Sequence, residues 1–178
     1  MVKSKRRPTL LRVRKRPGFK SQGVLTVGRR AFPCALGRSG IGRKLREGDG
    51  LTPLGRFALL EKWVRPDRPT PGVGRAGARL ISRQDGWCDA PGDRNYNRHV
   101  RLPYPASHET LWRKDRLYDV MIVLDHNRTR YLRRGGSAIF FHLAHEDLRP
   151  TEGCIALRRA DMRQVLSAAG RKAHMVVG

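Results

Sequence analysis

Two side chains in this sequence are equipped for nucleophilic chemistry and lie close along the chain: His142 and Cys154, twelve positions apart (154 − 142). A thiol beside an imidazole can lose its proton and attack a carbonyl carbon. His142 interrupts an apolar run, Ala138 to Leu143, that reads as a buried strand behind Gly135-Gly136. Cys154 follows Gly153 and precedes Ile155, where a polar loop, His145 to Glu152, returns to apolar chain. A loop of that length can fold back and bring the two side chains together. Taken alone, Cys154 reads as an inert core thiol and His142 as a satisfied core histidine; together they read as a catalytic pair. The backbone N–H groups of Gly153 and Cys154 are candidate oxyanion donors, because glycine lets the backbone come close. His145 is three residues from His142 and would face the other side of a strand. The chain lacks the clustered Cys and His of a zinc site, so no metal or other cofactor is expected.

The elements that must position this pair are mostly short strands. Leu11 and Val13 alternate with Arg12 and Arg14, the pattern of a half-buried strand with arginines in water. Val24–Val27, Phe32–Leu36 and Phe57–Trp63 read as further strands, Arg79–Gln84 as a short one, and Tyr118–Leu124 as a central strand beside 138–143. Glu109–Arg116 reads as a helical turn with Trp112 inward. Met162, Val165, Leu166 and Ala169 have helical spacing, with Asp161 near the start and Gly170 at the end. Ala173–Val177 closes the chain as a strand. The pattern predicts a mainly β, single-domain antiparallel sandwich or barrel-like fold over residues 1–178, with one or two short helices. The stretch Asp89–Ser107 reads as a long loop of the kind that forms lids. Its Tyr96, Asn97, Arg98, Arg101 and Tyr104 are candidate substrate contacts; the competing reading is that they tie the loop down. Residues 125–136 read as a connecting turn.

Composition bounds the partners. The chain has 178 residues and a formal net charge of +23, which attracts acidic partners without naming one. Eight of the first sixteen residues are Lys or Arg, so a nucleic-acid-binding arm is a competing reading. It ranks second because no aromatic residue precedes Phe19 for base stacking. Nucleic acid is therefore expected to bind only non-specifically, and the chain is expected to be a monomer. The three cysteines, Cys34, Cys88 and Cys154, are odd in number and widely spaced, which leans toward a reducing compartment. Arg6-Arg7 lacks the apolar stretch of an export signal, and no run is long enough for a membrane helix. The expected location is the cytoplasm, with the periplasm or cell envelope as the alternative should the start site be misassigned.

The pair resembles the active-site motif of the YkuD-type L,D-transpeptidase domain. That motif has a His at a strand end, a spacer, then Ser/Thr-x-Gly-Cys and an aliphatic residue, matched here by His142, Thr151, Gly153, Cys154 and Ile155. A second stretch of the family, Gly-Asp-x-x-Thr-Pro-x-Gly-x-Phe, is matched by Gly48, Asp49, Thr52, Pro53, Gly55 and Phe57. Two motifs in the family's order are a more specific signal than either alone. The resemblance implies a cysteine acyltransferase acting on peptidoglycan tetrapeptide stems. Cys154 would attack the carbonyl before D-alanine, His142 would act as general base and then acid, and the thioester would pass to an amine. Water as acceptor would instead give a cytoplasmic L,D-carboxypeptidase of cell-wall recycling, and a catalytically dead wall-binding domain is a third possibility. Thr151 joins the candidate substrate contacts. The sequence departs from the family at Leu143, where glycine is usual after the His, and at Ala156, where arginine is usual. Arg158 or Arg149 is the candidate replacement for that arginine. Glu152 stands where the family often has His, and it is expected to point away from the sulfur toward an arginine. The basic composition is expected to suit acidic stem peptides.

Overall fold

The computed structural model describes residues 8–128, 132, 135–170 and 172–178. The run Met1–Arg7 and part of the connection over 125–136 lie outside these. Fourteen strands and one helix follow in order: β1 (Thr9–Lys15), β2 (Gln22–Val27), β3 (Arg30–Ala35), β4 (Gly40–Gly42), β5 (Leu51–Pro53), β6 (Gly55–Val64), β7 (Ala78–Leu80), β8 (Asp85–Cys88), β9 (Arg98–Arg101), β10 (His108–Thr110), β11 (Val120–Leu124), β12 (Phe140–Leu143), β13 (Ile155–Leu157), α1 (Arg159–Ala169) and β14 (Ala173–Val177). The mainly β, barrel-like class read from the sequence is the one observed.

Nine strands form the main sheet, in the order β11-β12-β13-β3-β2-β1-β14-β6-β7, and β11 also pairs with β6. That extra pairing closes eight of them into a ring and removes the open edges a flat sheet would carry. The pairings β1–β14, β12–β13 and β6–β7 run parallel within a sheet that is otherwise antiparallel. Strand alternation assigns each residue to the inside or outside of the ring. Leu11 and Val13 of β1, Leu25 and Val27 of β2, Phe141 and Leu143 of β12, and Met175 and Val177 of β14 point inward to one core. Met162, Val165 and Ala169 of α1 pack into the same core, which is why the helix carries apolar residues on one face. Gly170 ends it with φ +66°, a conformation that glycine adopts at little cost.

Outside the ring a second layer covers one side only. Strands β10-β8-β9 form a separate sheet. Trp87 and Leu111 from this layer pack with Trp63, Met121, Val123 and Phe140, which point outward from β6, β11 and β12. Two expectations change here. The span Asp89–Ser107 contains β9 and so is not an unstructured lid. Glu109 belongs to β10 rather than a helical turn, and the inward residue is Leu111, while Trp112 is half-buried under the Arg65 guanidinium, 3.5 Å from its ring centre. Pairing of His108–Thr110 to β8 holds this stretch extended and outweighs local preference.

The Gly48–Phe57 motif folds into a turn organised by Asp49. Its carboxylate accepts from Lys44 Nζ at 2.6 Å, Leu51 N at 3.0 Å and Leu45 N at 3.1 Å. Burial works against its charge, but these donors prevail and hold its pKa below the usual carboxylate value. Thr52, fully buried, accepts the Gly37 N–H at 2.8 Å. Replacing Thr52 with valine keeps the shape but strands that buried N–H. Urea unfolding of Thr52→Val is expected to show a loss of about 1–3 kcal/mol; an unchanged midpoint would mean that the bond contributes nothing.

Candidate active site

His142 lies in β12, and Cys154 immediately precedes β13. In this parallel pair Phe141 faces Ile155 and His142 faces Ala156. Extending the register by one residue sets Cys154 beside Phe140. Phe140 and His142 share the outer face of the ring, and so do Cys154 and Ala156. With strands about 4.8 Å apart and a rise of about 3.3 Å per residue, this diagonal places the Cα atoms of His142 and Cys154 roughly 8 Å apart. Both side chains line one cleft of about 640 Å³. They are little exposed, 4% for His142 and 8% for Cys154.

The thiol is held at two points. Phe140 N–H donates to Sγ at 3.3 Å, and Sγ donates to the Ala138 carbonyl at 3.2 Å. Its pKa is pushed up to about 12, first by burial and then by the Glu109 carboxylate, against the opposing Phe140 N–H. The imidazole is oriented by a single bond, Nδ1 to the Leu143 carbonyl at 2.7 Å. A carbonyl can only accept, so Nδ1 carries the proton and Nε2 keeps its lone pair. Burial holds the His142 pKa down at about 4, only partly offset by that bond. The Tyr118 ring stands edge-on to the imidazole, 5.1 Å between centres, and fixes its plane. At neutral pH the site is therefore a neutral thiol beside a neutral imidazole, not a preformed ion pair.

The two sequence motifs meet at Gly153. Its φ is +136°, and a methyl group there would sit 2.8 Å from the Leu51 carbonyl of the Asp49 turn. Only a residue without Cβ fits. Thr151 lines the cleft and braces the turn: Oγ1 donates to the Cys154 carbonyl at 2.7 Å and accepts from Gly153 N at 3.2 Å. That second bond corrects one expectation. The Gly153 N–H is committed to Thr151 and does not point at an incoming oxyanion.

Other expected contacts are placed elsewhere. Tyr96, Asn97, Arg101, Tyr104 and Arg158 do not line this cleft. Tyr96 is buried with its hydroxyl on Glu47 at 2.5 Å, and Tyr104 donates to Asp93 at 2.7 Å. Exposed Arg101 bonds Gln84, and Arg158 reaches the Glu146 carbonyl at 2.8 Å. Arg149, the other candidate replacement for the missing arginine, does line the cleft. Asn97 is a buried strut. Its Oδ1 accepts from Trp87 Nε1 at 3.0 Å and Ala138 N at 3.1 Å, and its Nδ2 donates to the carbonyls of His126 at 3.1 Å and Asn127 at 3.0 Å. It thus fixes Ala138, the residue whose carbonyl holds the thiol. Glu152 turns to Arg38 at 2.9 Å, as expected. His145 sits in the loop after β12, and its side chain also lines the cleft.

Sequence reasoning missed the part of the cleft lined by Glu109, Arg113 and Tyr118. Tyr118 donates to Glu109, and Arg113 lies 3.4 Å from the same carboxylate. The one available signal was Tyr118 itself, a hydroxyl at the head of an apolar strand. The cleft also corrects the electrostatic expectation. Glu47, Asp89, Glu109, Asp115 and Glu152 line it, against Arg113 and Arg149, so the +23 charge is not concentrated there. Among the described residues, no set of three or more His, Cys, Asp or Glu side chains is grouped to hold a metal.

The chain belongs to the YkuD family: residues 20–177 match its L,D-transpeptidase catalytic domain. No curated protein matches the sequence. Among solved structures it is similar to Bd1075 of Bdellovibrio bacteriovorus, at 13% identity and a TM-score of 0.50, with 96% of this chain covering 47% of that one. It is also matched to the helical cell shape determining protein Pgp2 of Campylobacter jejuni (K307A mutant), at 17% identity and a TM-score of 0.38, with the same coverage of both chains. The chain thus spans about half the length of these proteins, and at such identities the first likeness bears on the fold alone.

Three measurements test this geometry. Alkylation of Cys154 by iodoacetamide, followed by mass spectrometry, is expected to keep accelerating above pH 9; a plateau near the ordinary thiol value of about 8.5 would contradict the raised pKa. Asn97→Ala frees Ala138 and is expected to lower turnover at least about tenfold while costing about 1–3 kcal/mol of stability; full turnover would remove Asn97 from the site's support. An unfolded chain protonates its histidines below pH 6.5, whereas folded His142 resists until about 4. Stability is therefore lost as pH falls through that window, by up to about 3 kcal/mol, and His142→Gln should flatten that part of the stability profile.

Proposed function

We propose that this chain is the catalytic unit of an L,D-transpeptidase that acts on peptidoglycan tetrapeptide stems through a Cys154 thioester. The observation that carries the reading is the placement of His142 and Cys154 on one outward face of adjacent parallel strands, opening into one cleft. Substrate entry displaces water from the cleft and brings the scissile carbonyl to Sγ. The S–H then turns from the Ala138 carbonyl toward His142 Nε2. As sulfur attacks the carbonyl carbon, the proton passes to Nε2, so charge appears only along the reaction path. Collapse of the tetrahedral adduct breaks the C–N bond, and the imidazolium gives its proton to the departing D-alanine amine. An amine acceptor then takes the acyl group from sulfur and completes a cross-link. Water in the acceptor's place gives the shortened stem of an L,D-carboxypeptidase.

The test is turnover of a purified tetrapeptide muropeptide, with products separated by chromatography. Cys154→Ala is expected to abolish product, and His142→Gln to lower kcat by about 10²–10⁴. A cross-linked dimer identifies the amine acceptor and a tripeptide identifies water. Unreduced product from Cys154→Ala would overturn the assignment. Intact mass after exposure to a carbapenem should show an adduct on the unmodified chain and none on Cys154→Ala.

A further inference from the structure

The outer wall of the strand ring is covered on the β6-β11-β12 side by the layer of β8, β9 and β10. On the β3-β2-β1-β14 side its outward side chains, Ala35 apart, are exposed or half-buried. The register fixes what this bare half presents. Arg12 lies between Thr26 of β2 and Val176 of β14, and Val176 in turn lies beside Arg56 of β6; Arg14 lies beside Val24, and Val24 beside Pro33. Cations and uncharged side chains are thus interspersed across five strands, with no carboxylate among the outward residues of these pairings. Residues 1–46 hold 15 of the 38 Lys and Arg and none of the 15 Asp and Glu. Among the described residues of that stretch, the ion pairs are Arg38–Glu152 and Lys44–Asp49, so the strand cations keep their charge for a partner. The β1–β2 turn at the end of this face presents Phe19, 43% exposed, with the Arg16 guanidinium 4.3 Å above its ring and Lys20 beside it.

We propose that this face and the Phe19 turn form a docking surface for an anionic lipid bilayer. Arginine stems lie along apolar surface while their charged ends reach phosphate, and an aromatic ring at a turn enters the headgroup region. Valine, alanine and proline between the cations gain by leaving water there. They offer neither the stacking rings nor the hydrogen-bonding side chains that a nucleic acid uses. The same outward face continues from β3 into the site through the pairing of Ala35 with Ala156. A docked molecule therefore holds the Cys154 cleft alongside the bilayer surface. The inference does not depend on the chemistry of Cys154.

The test is co-sedimentation of the full chain with vesicles of phosphatidylcholine alone and with vesicles containing roughly a third phosphatidylglycerol, at low and physiological salt. Binding is expected on the anionic vesicles only. Each Lys or Arg near such a surface is worth about five-fold in partitioning, so Arg12→Glu with Arg14→Glu should weaken binding at least about 25-fold. Phe19→Ser should remove most of the binding that survives physiological salt. A charge-matched control, Arg94→Glu with Arg98→Glu on the covering layer, should lose far less. Equal loss in the control would reduce the effect to bulk charge and overturn the proposal. So would binding to neutral vesicles, or displacement by duplex DNA combined with indifference to Phe19→Ser, which would point to nucleic acid. Circular dichroism of each variant confirms that it is folded.

Discussion

The thiol of Cys154 is suspended between the N–H of Phe140 and the carbonyl of Ala138, both on the neighbouring segment of chain. Most of what surrounds the site serves to keep those two groups in place. The parallel register of β12 and β13 aligns Phe140 with the cysteine. Asn97 clamps the Ala138 amide, and Trp87 clamps Asn97 in turn. On the other side of the sulfur, Thr151 pins the cysteine's own carbonyl, and the Leu51 carbonyl leaves room for nothing larger than Gly153. Burial that would waste a polar group elsewhere is tolerated at the thiol because it both accepts from Phe140 and donates to Ala138.

The ring of strands divides the labour between its two surfaces. Its interior is a single apolar core that supplies the stability. Its exterior carries His142 and Cys154 under one partial cover, and alternation along each strand keeps the two apart. The neutral thiol and neutral imidazole follow from this arrangement. Both lie beneath the covering layer, where desolvation disfavours charge on either.

Much of the architecture could be read from the chain because strand alternation and helix period are local signals. Leu11 and Val13 face the core, α1 buries Met162 and Val165, and His142 sits in a buried strand, each as the pattern implied. The pairing of His142 with Cys154 was also legible as a juxtaposition: the two side chains line one cleft, as a strand histidine and a Gly-Cys turn twelve residues apart suggested. Residues whose role depends on distant partners were not. Asn97 looked like a loop contact but is fully engaged by Trp87, His126, Asn127 and Ala138, none of which its own segment could announce. The parallel pairing of β1 with β14 and the covering sheet depend on the whole topology. Charge misled for a related reason: composition counts cations without saying which surface bears them, and the cleft turned out to be lined with carboxylates.

The pairing of β1 with β14 joins Thr9 to Ala173. The seam of the ring thus joins two strands 164 residues apart in sequence (173 − 9). A ribosome-bound chain can form the β1-β2-β3 meander early, but β1 and β6 keep unmatched edges until residues 173–177 emerge. Loop closure over such a separation makes this a slow, late step. Until then β1 and β6 each carry an edge ready to pair with a neighbour's strand, and Ala173–Val177 is the latch that ends that exposure.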